Sequence, residues 1–140
     1  MTKGEKLNNL TEKIIGVAIN VHRELGPGLL ESAYESCVLY DLTEAGLKTE
    51  QQKPLPIVYK GVKLECGNRL DLLIEDKIIV EIKSVEKILP LHQSQLLSYL
   101  KIADKRVGLL INYNVKVLKR GLQRVVNEFP ESQRALRAQR

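Results

Sequence analysis

The chain has 140 residues, of which 44% are hydrophobic, a length that suits one domain with one sizeable core. Lysine and arginine outnumber aspartate and glutamate by 22 to 17, and the formal charge of +5 fits a polyanionic partner without requiring one. No apolar run approaches the ~20 residues of a membrane span, and no apolar segment follows the N-terminal Met-Thr-Lys-Gly-Glu-Lys. We therefore expect a soluble, cytoplasmic protein without a signal peptide and without a membrane partner.

The only two cysteines are Cys37 and Cys66, and no CxxC pair exists that could form a zinc knuckle. Cys37 is expected on a helix and Cys66 on a strand, both as buried free thiols.

The first part of the chain predicts two helices. Residues 10–25 carry apolar side chains at spacings of three and four, with Asn8 or Asn9 as the N-cap. The Gly26-Pro27-Gly28 segment ends this helix, and a second helix is expected from about residue 29 to residue 45.

From residue 55 the hydrophobic period changes to two. Residues 55–59 and 62–66 predict a β-hairpin around the Lys60-Gly61 turn. Residues 69–74 and 78–84 predict a second hairpin.

A third helix is expected from Pro90 to about Ala103, followed by a buried strand over residues 107–111. Residues 115–127 fit either a helical turn followed by a strand or a single helix. No repeat or linker divides the chain, so we expect one domain over residues 1–130 and a basic C-terminal tail, residues 131–140, that is frayed or disordered.

The second hairpin places ionisable side chains among residues that are otherwise typical of a buried strand. With a three-residue loop at Glu75–Lys77, Asp71 lies directly opposite Glu81, and Lys83 shares the face of Glu81. A two-residue loop would instead turn Asp71 to the other face.

Two adjacent carboxylates repel each other unless a proton or a cation lies between them. Oxygen ligands suit Mg²⁺ or Mn²⁺, and Lys83 could orient an attacking water and stabilise charge on a phosphate. This is the chemistry of metal-dependent phosphodiester hydrolysis. A carboxylate–lysine network on a solvated strand face is the alternative, and the spacing alone leaves both open.

Three motifs resemble those of known nucleases. Asp71 followed by residues 81–83 (Glu-Ile-Lys) resembles the PD-(D/E)xK nuclease superfamily, although Leu70 stands where that superfamily usually has proline. Residues 28–34 (Gly-Leu-Leu-Glu-Ser-Ala-Tyr) resemble the GxxExxY signature of a small bacterial and archaeal branch, and residues 95–99 resemble the QxxxY helix motif of RecB-like nucleases.

The resemblance implies an α/β, restriction-endonuclease-like core with a mixed, mostly antiparallel sheet of about four or five strands flanked by helices. It implies a Mg²⁺ (or Mn²⁺) site and four catalytic residues. The metal ligands would be Asp71, Glu81, Glu31 and the backbone carbonyl of Ile82, and the catalytic residues would be Asp71, Glu81, Lys83 and Gln95.

Further residues are candidates for substrate contact. Arg69 would either pair with a carboxylate or reach a phosphate, whereas Tyr99 and His92 lie close to the expected pocket. The basic residues of the segment 116–124, with Arg134, Arg137 and Arg140, either follow a nucleic-acid backbone or form a solvated face.

The predicted function is a metal-dependent nuclease-like protein that hydrolyses phosphodiester bonds in DNA, with RNA as the alternative substrate. The alternative is a non-catalytic nucleic-acid-binding module, or a subunit of a larger assembly, that retains the nuclease fold. A homodimer with a shared groove suits so small a chain.

Overall fold

The structure of the chain is a computed structural model that describes residues 1–130. The prediction for the tail, and for the arginines in it, falls outside the described residues. Within the described part of the chain, no helix combines the length and the apolar character needed to cross a membrane.

Three α-helices, seven β-strands and a short 3₁₀ helix make up the described fold. In chain order they are α1 (Lys3–Leu25), α2 (Glu31–Glu44), β1 (Thr49–Pro54), β2 (Ile57–Tyr59), β3 (Val62–Leu64), β4 (Arg69–Ile74), β5 (Ile78–Lys83), α3 (Pro90–Ala103), β6 (Val107–Asn112), the 3₁₀ helix (Leu118–Gly121) and β7 (Leu122–Val126).

Five of the strands form one mixed sheet in the order β1-β4-β5-β6-β7. Only β5 and β6 pair in parallel, whereas the other three neighbouring pairs are antiparallel. The predicted α/β core with a mostly antiparallel sheet is therefore confirmed. The parallel pair requires a crossover, and α3 supplies it.

Apolar side chains on both faces of β5 hold the helices against the sheet. Ile78, Val80 and Ile82 belong to the core shared with α1 and α2. Ile79 points the other way and packs with Leu96 of α3. Strands buried on both faces are continuous apolar runs, which is why a charged residue within β5 is conspicuous.

The first helix begins earlier than the apolar spacing predicts. It starts at Lys3, and the Thr2 hydroxyl caps it by accepting the Glu5 N–H at 3.1 Å. Neither Asn8 nor Asn9 is the cap. The Thr2-x-x-Glu5 spacing is a capping-box signature, and it marks this start more directly than the hydrophobic period does.

The segment between α2 and the first predicted hairpin contains a strand that the sequence pattern does not reveal. Strand β1 has the sequence TEQQKP and pairs with β4 from Thr49↔Ile74 to Pro54↔Arg69. It forms one edge of the sheet, where polar side chains face solvent and alternation is weak.

The predicted hairpin turn at Lys60-Gly61 is confirmed, with φ of 51° and 77° at these two residues. The strands are shorter than predicted, so Cys66 lies outside a strand and is exposed, which makes the expectation of a buried thiol there wrong. Cys37 is half-buried on α2.

The second hairpin has the predicted three-residue loop, because Ile74 pairs with Ile78. For residues 115–127, the structure confirms the first of the two alternatives, a helical turn followed by a strand.

A network after β5 fixes the chain beyond Lys83. The Lys83 carbonyl accepts the Tyr113 N–H at 2.9 Å, and the buried Asn112 side chain bonds both the N–H and the carbonyl of Val85, at 3.1 and 2.9 Å. The backbone at Gly121 packs closely against Asn112, because a Cβ at residue 121 would lie 2.1 Å from the Asn112 carbonyl oxygen.

We expect Gly121→Ala to lower the free energy of unfolding by about 1–3 kcal/mol, since the added methyl group must displace backbone. Gly16→Ala is the matched control, because a Cβ there meets no atom within 4 Å and helical alanine is favoured by about 0.5–1 kcal/mol. Urea denaturation of both variants measures the difference. Equal effects at the two sites would contradict the packing described around Asn112.

Candidate active site

The candidate site begins where the backbone pairing of β4 and β5 stops. Regular pairing ends at Leu72↔Val80. Beyond it, the Asp71 N–H donates to Glu81 Oε2 and the Ile82 N–H donates to Asp71 Oδ2, each at 2.8 Å. Each strand therefore gives a backbone N–H to the carboxylate of the other, and the two acidic residues are held side by side.

Glu81 is the more buried of the two, with 4% of its surface exposed. Burial and the neighbouring Asp71 charge raise the pKa of Glu81 to about 8, although the Asp71 N–H and Lys83 act in the opposite direction. Burial also raises the pKa of Asp71, against the lowering effects of the Ile82 N–H, Gln52 and Lys83. The surrounding groups therefore do not fully stabilise a state in which Asp71 and Glu81 are both ionised.

Lys83 is the cation whose charge acts on both carboxylates. It is half-buried at the end of β5, and its charge lowers the pKa of both Asp71 and Glu81. The structure thus brings together the three residues of the predicted D…ExK pattern.

Glu31 reaches the same end of the sheet from the first turn of α2. Its Oε1 accepts the Ser84 N–H at 3.2 Å, and the Ser84 hydroxyl donates to the Leu29 carbonyl at 2.7 Å. Ser84 follows Lys83 directly, so these two bonds join the start of α2 to the end of β5. The Glu31 charge also raises the pKa of Asp71.

Glu35 is a further acidic residue of the site that the motifs do not indicate. It lies one turn after Glu31 and accepts hydrogen bonds from Gln51 Nε2 at 2.7 Å and from Gln52 Nε2 at 2.8 Å. Burial is the main cause that raises the pKa of Glu35. Its i+4 relation to Glu31 is the signal that could have identified it.

Gln52 connects this residue to the carboxylate pair. Its Nε2 also lies 3.3 Å from Asp71 Oδ1, so a single amide group contacts both Glu35 and Asp71. The backbone of Gln52 has φ of 50°, the left-handed region that non-glycine residues rarely adopt. This local distortion lies on the edge strand next to Asp71, in the strand that the sequence pattern missed.

A cleft of about 500 Å³ opens between the start of α2 and the strands β1 and β4. Three carboxylates and a glutamine face it, and exposed leucines form its rim. Its lining residues are Leu29, Leu30, Glu31, Ser32, Glu35, Gln52, Asp71 and Ser84. A second cavity of about 460 Å³, at the opposite end of the sheet, contains none of the predicted site residues.

The three candidate residues on α3 differ in their burial and contacts. Tyr99 is buried, and the charges of Glu81 and Asp71 contribute, after burial, to its raised pKa. Gln95 is exposed, one turn earlier. His92 accepts the Leu89 N–H at 3.0 Å and so caps α3. Within residues 1–130, no hydrogen bond links Gln95 or His92 to the carboxylate pair.

Two other motif residues have structural contacts. Arg69 donates to the Gln52 carbonyl at 3.3 Å. The Tyr34 hydroxyl donates to the Gly26 carbonyl at 2.6 Å and accepts the Leu29 N–H at 3.1 Å, while its ring stacks on Tyr113. Tyr34 therefore holds the loop that leads into Glu31.

The basic residues of the segment 116–124 lie just before the 3₁₀ helix, on that helix and on β7, at the edge of the sheet opposite β1. Arg124 donates to Asn8 at 2.8 Å and covers the Phe129 ring. Lys116, Lys119 and Arg120 are exposed.

The chemistry of the donor set fits a hard divalent cation. The pKa values at this site depend on the charges of four carboxylates and one lysine, which are those of Glu31, Glu35, Asp71, Glu81 and Lys83. Carboxylate oxygens are the ligands that Mg²⁺ and Mn²⁺ prefer. Among residues 1–130, no group of three or more His, Cys, Asp or Glu side chains is assembled for coordination. Mg²⁺ commonly uses one or two carboxylates and keeps several waters, so a pair of carboxylates suffices.

The sequence pattern of the PD-(D/E)XK nuclease superfamily matches residues 8–125. The chain belongs to the PD-(D/E)XK nuclease superfamily. The match includes α2, all seven strands except the last residue of β7, and α3, so the carboxylate pair lies well inside it. Nucleases of this superfamily generally use divalent metals. Comparison with curated proteins and with solved structures gives no match.

Metal-free protein should lose stability as the pH rises, because the folded chain holds a proton on Glu81 that the unfolded chain releases. Glu81 titrates near pH 4.5 when unfolded and near pH 8 when folded, so its contribution is complete below about pH 4.5 and lost as the pH passes about 8. We expect a decrease of a few kcal/mol in the free energy of unfolding over this range.

Urea denaturation in chelator at several pH values measures this decrease, and Glu81→Gln should flatten it. Glu12→Gln, on the exposed face of α1, is the control and should keep the wild-type profile. A Glu81→Gln profile as steep as wild type would show that the burial of Glu81 has no effect on stability.

Proposed function

We propose that this protein is a divalent-metal-dependent nuclease of the GxxExxY branch that hydrolyses phosphodiester bonds in DNA. The observation that carries the proposal is a pair of backbone hydrogen bonds, from the Asp71 N–H to Glu81 and from the Ile82 N–H to Asp71, which holds two carboxylates together beside Lys83. Such a pair is costly without a function, since two buried like charges oppose folding.

Asp71 and Glu81 would hold Mg²⁺ or Mn²⁺, with the Ile82 carbonyl and Glu31 as further ligands. The bound cation would polarise the scissile phosphate and lower the pKa of a bound water. Only the backbone of Ile82 could take part, because its side chain is buried in the core.

Lys83 would orient the attacking water and stabilise negative charge on the phosphate oxygens. The water oxygen would form a bond to phosphorus and release its proton to solvent, the bond to the leaving oxygen would break, and that oxygen would take a proton from solvent. Gln95, exposed on α3, would contact the substrate phosphate, and Tyr99 would bound the site beside Glu81. Arg69 and His92 would contact the substrate in addition to making their structural bonds.

The GxxExxY assignment has a structural rationale. Glu31 lines the cleft, whereas Tyr34 fixes the loop that presents it. We also propose a cytoplasmic location and a homodimer with a shared groove. Sedimentation of the full chain tests for the dimer.

Lys83→Ala should reduce cleavage at least about 100-fold while leaving metal binding nearly unchanged, because the lysine acts on the phosphate and not as a ligand. Asp71→Asn should lose both. Cleavage of single- and double-stranded DNA and RNA is measured with Mg²⁺ or Mn²⁺, and calorimetry measures Mn²⁺ binding.

Lys77→Ala is the matched control, since Lys77 lies in the turn at the far end of the same strand pair. Its activity should equal that of wild type. Nucleic-acid binding by a wild-type protein that cleaves no substrate with either metal would support the non-catalytic module and contradict the nuclease.

Gln52→Ala should weaken Mn²⁺ binding several-fold, because Asp71 loses the amide that fixes its Oδ1. The neighbouring Gln51 provides a close control, since it contacts Glu35 but makes no bond to Asp71 among the described residues. Calorimetry with Gln52→Ala and Gln51→Ala separates the two contacts. Equal Mn²⁺ affinities in both variants would show that Gln52 does not position Asp71.

A further inference from the structure

A β-hairpin leaves the sheet at the end that carries the candidate site. Residues 55–68, called here the 55–68 hairpin, connect β1 to β4. The last sheet pair is Pro54↔Arg69, and the Leu55 N–H donates to the Asn68 carbonyl at 2.8 Å, so both arms leave the sheet together. Asp71 is only two residues beyond this exit.

The 55–68 hairpin makes little use of its apolar side chains in the core. Its strands form a separate two-stranded sheet, with Ile57↔Leu64 and Tyr59↔Val62 as partners. Tyr59 is 59% exposed and Val62 55% exposed. A two-stranded hairpin gains little stability from side chains left in water, so these groups are open to a ligand.

The tip combines this aromatic surface with positive charge. Lys60 Nζ lies 5.4 Å from the centre of the Tyr59 ring. Lys63 is exposed nearby, and its only acidic neighbour among the described ion pairs is Glu65 at 3.9 Å. Open aromatic rings interleaved with cations are the usual means of holding single-stranded nucleic acid.

Charge favours a polyanion over a second copy of the chain on this surface. The adjacent cleft is acidic, so a phosphate backbone needs cations beside it, and the hairpin lysines supply them at the same end of the sheet. A second copy docked by two-fold symmetry on the same face would instead bring the lysines of both tips together.

We propose that the 55–68 hairpin holds an unpaired stretch of the substrate, with Tyr59 stacked on a base and with Lys60 and Lys63 facing phosphates. The inference rests on the proposed function and extends it to substrate strandedness. A base within a duplex is stacked on both faces, so the Tyr59 ring is available only to an unpaired or flipped base.

The test measures binding of labelled single- and double-stranded DNA of equal length to the full chain by fluorescence anisotropy, in chelator so that no cleavage occurs. Wild type should bind the single strand more tightly. Tyr59→Ala should weaken single-strand binding by about tenfold, the loss of one stacked base, and Tyr59→Phe should restore it.

Tyr40→Ala is the matched control, because Tyr40 is an equally open tyrosine, 66% exposed, on α2. It should bind as wild type does. Lys60→Ala with Lys63→Ala should weaken binding to both strand types and reduce its salt dependence. Sedimentation of each protein accompanies the binding curves.

The inference would be overturned if Tyr59→Ala left single-strand binding unchanged, or if Tyr59→Ala weakened binding to single and double strands equally. It would also be overturned if wild type were a dimer that Tyr59→Ala dissociates without loss of DNA binding. If the protein cleaves no substrate with metal but still binds single-stranded DNA through Tyr59, the proposed nuclease function is wrong. The proposed role of the 55–68 hairpin in binding would still hold.

Discussion

The rest of this molecule depends on two backbone hydrogen bonds, from the Asp71 N–H to the Glu81 carboxylate and from the Ile82 N–H to the Asp71 carboxylate. In an ordinary antiparallel pair, those N–H groups would bond to carbonyls of the neighbouring strand. Here carboxylates take that place, so pairing stops, with Glu81 buried and Asp71 half-buried at the cleft. Main-chain donors hold both carboxylates, and the Gln52 amide adds a side-chain contact to Asp71, which suits a site that must be preorganised.

The surrounding elements fix the positions of these charged residues. The apolar runs of β5 and β6 give the sheet a core stable enough to carry them, and the Asn112–Val85 bonds fix the chain just after Lys83. Tyr34 and Ser84 fix the start of α2 against the end of β5. The superfamily match over residues 8–125 contains all of the residues of this arrangement.

The sequence predicts the second hairpin, α3 and the buried β6 well, since each has a strong period or a clear boundary residue such as Pro90. It also predicts that Asp71 lies opposite Glu81 if the loop has three residues, and the Ile74↔Ile78 pair shows that loop length. Strand β1 was missed because its six residues are mostly polar and lie at an edge. Missing β1 also hid Gln51 and Gln52, and with them the contacts of Glu35 and the distorted backbone beside Asp71. Such contacts join residues far apart in the chain, and no local pattern encodes them.

The bonds of the candidate site differ greatly in how much chain they enclose. Asp71 and Glu81 are ten residues apart and meet within one hairpin, whereas the Glu31–Ser84 bond closes a separation of 53 residues. Short loops close fast and long ones slowly, so the carboxylate pair can form within its hairpin well before α2 is in place. During synthesis the hairpin is also complete before α3 and β6 emerge to cover it. One short stretch of chain therefore places the acidic pair, whereas the contact of Glu31 with that stretch depends on the closure of a much longer loop.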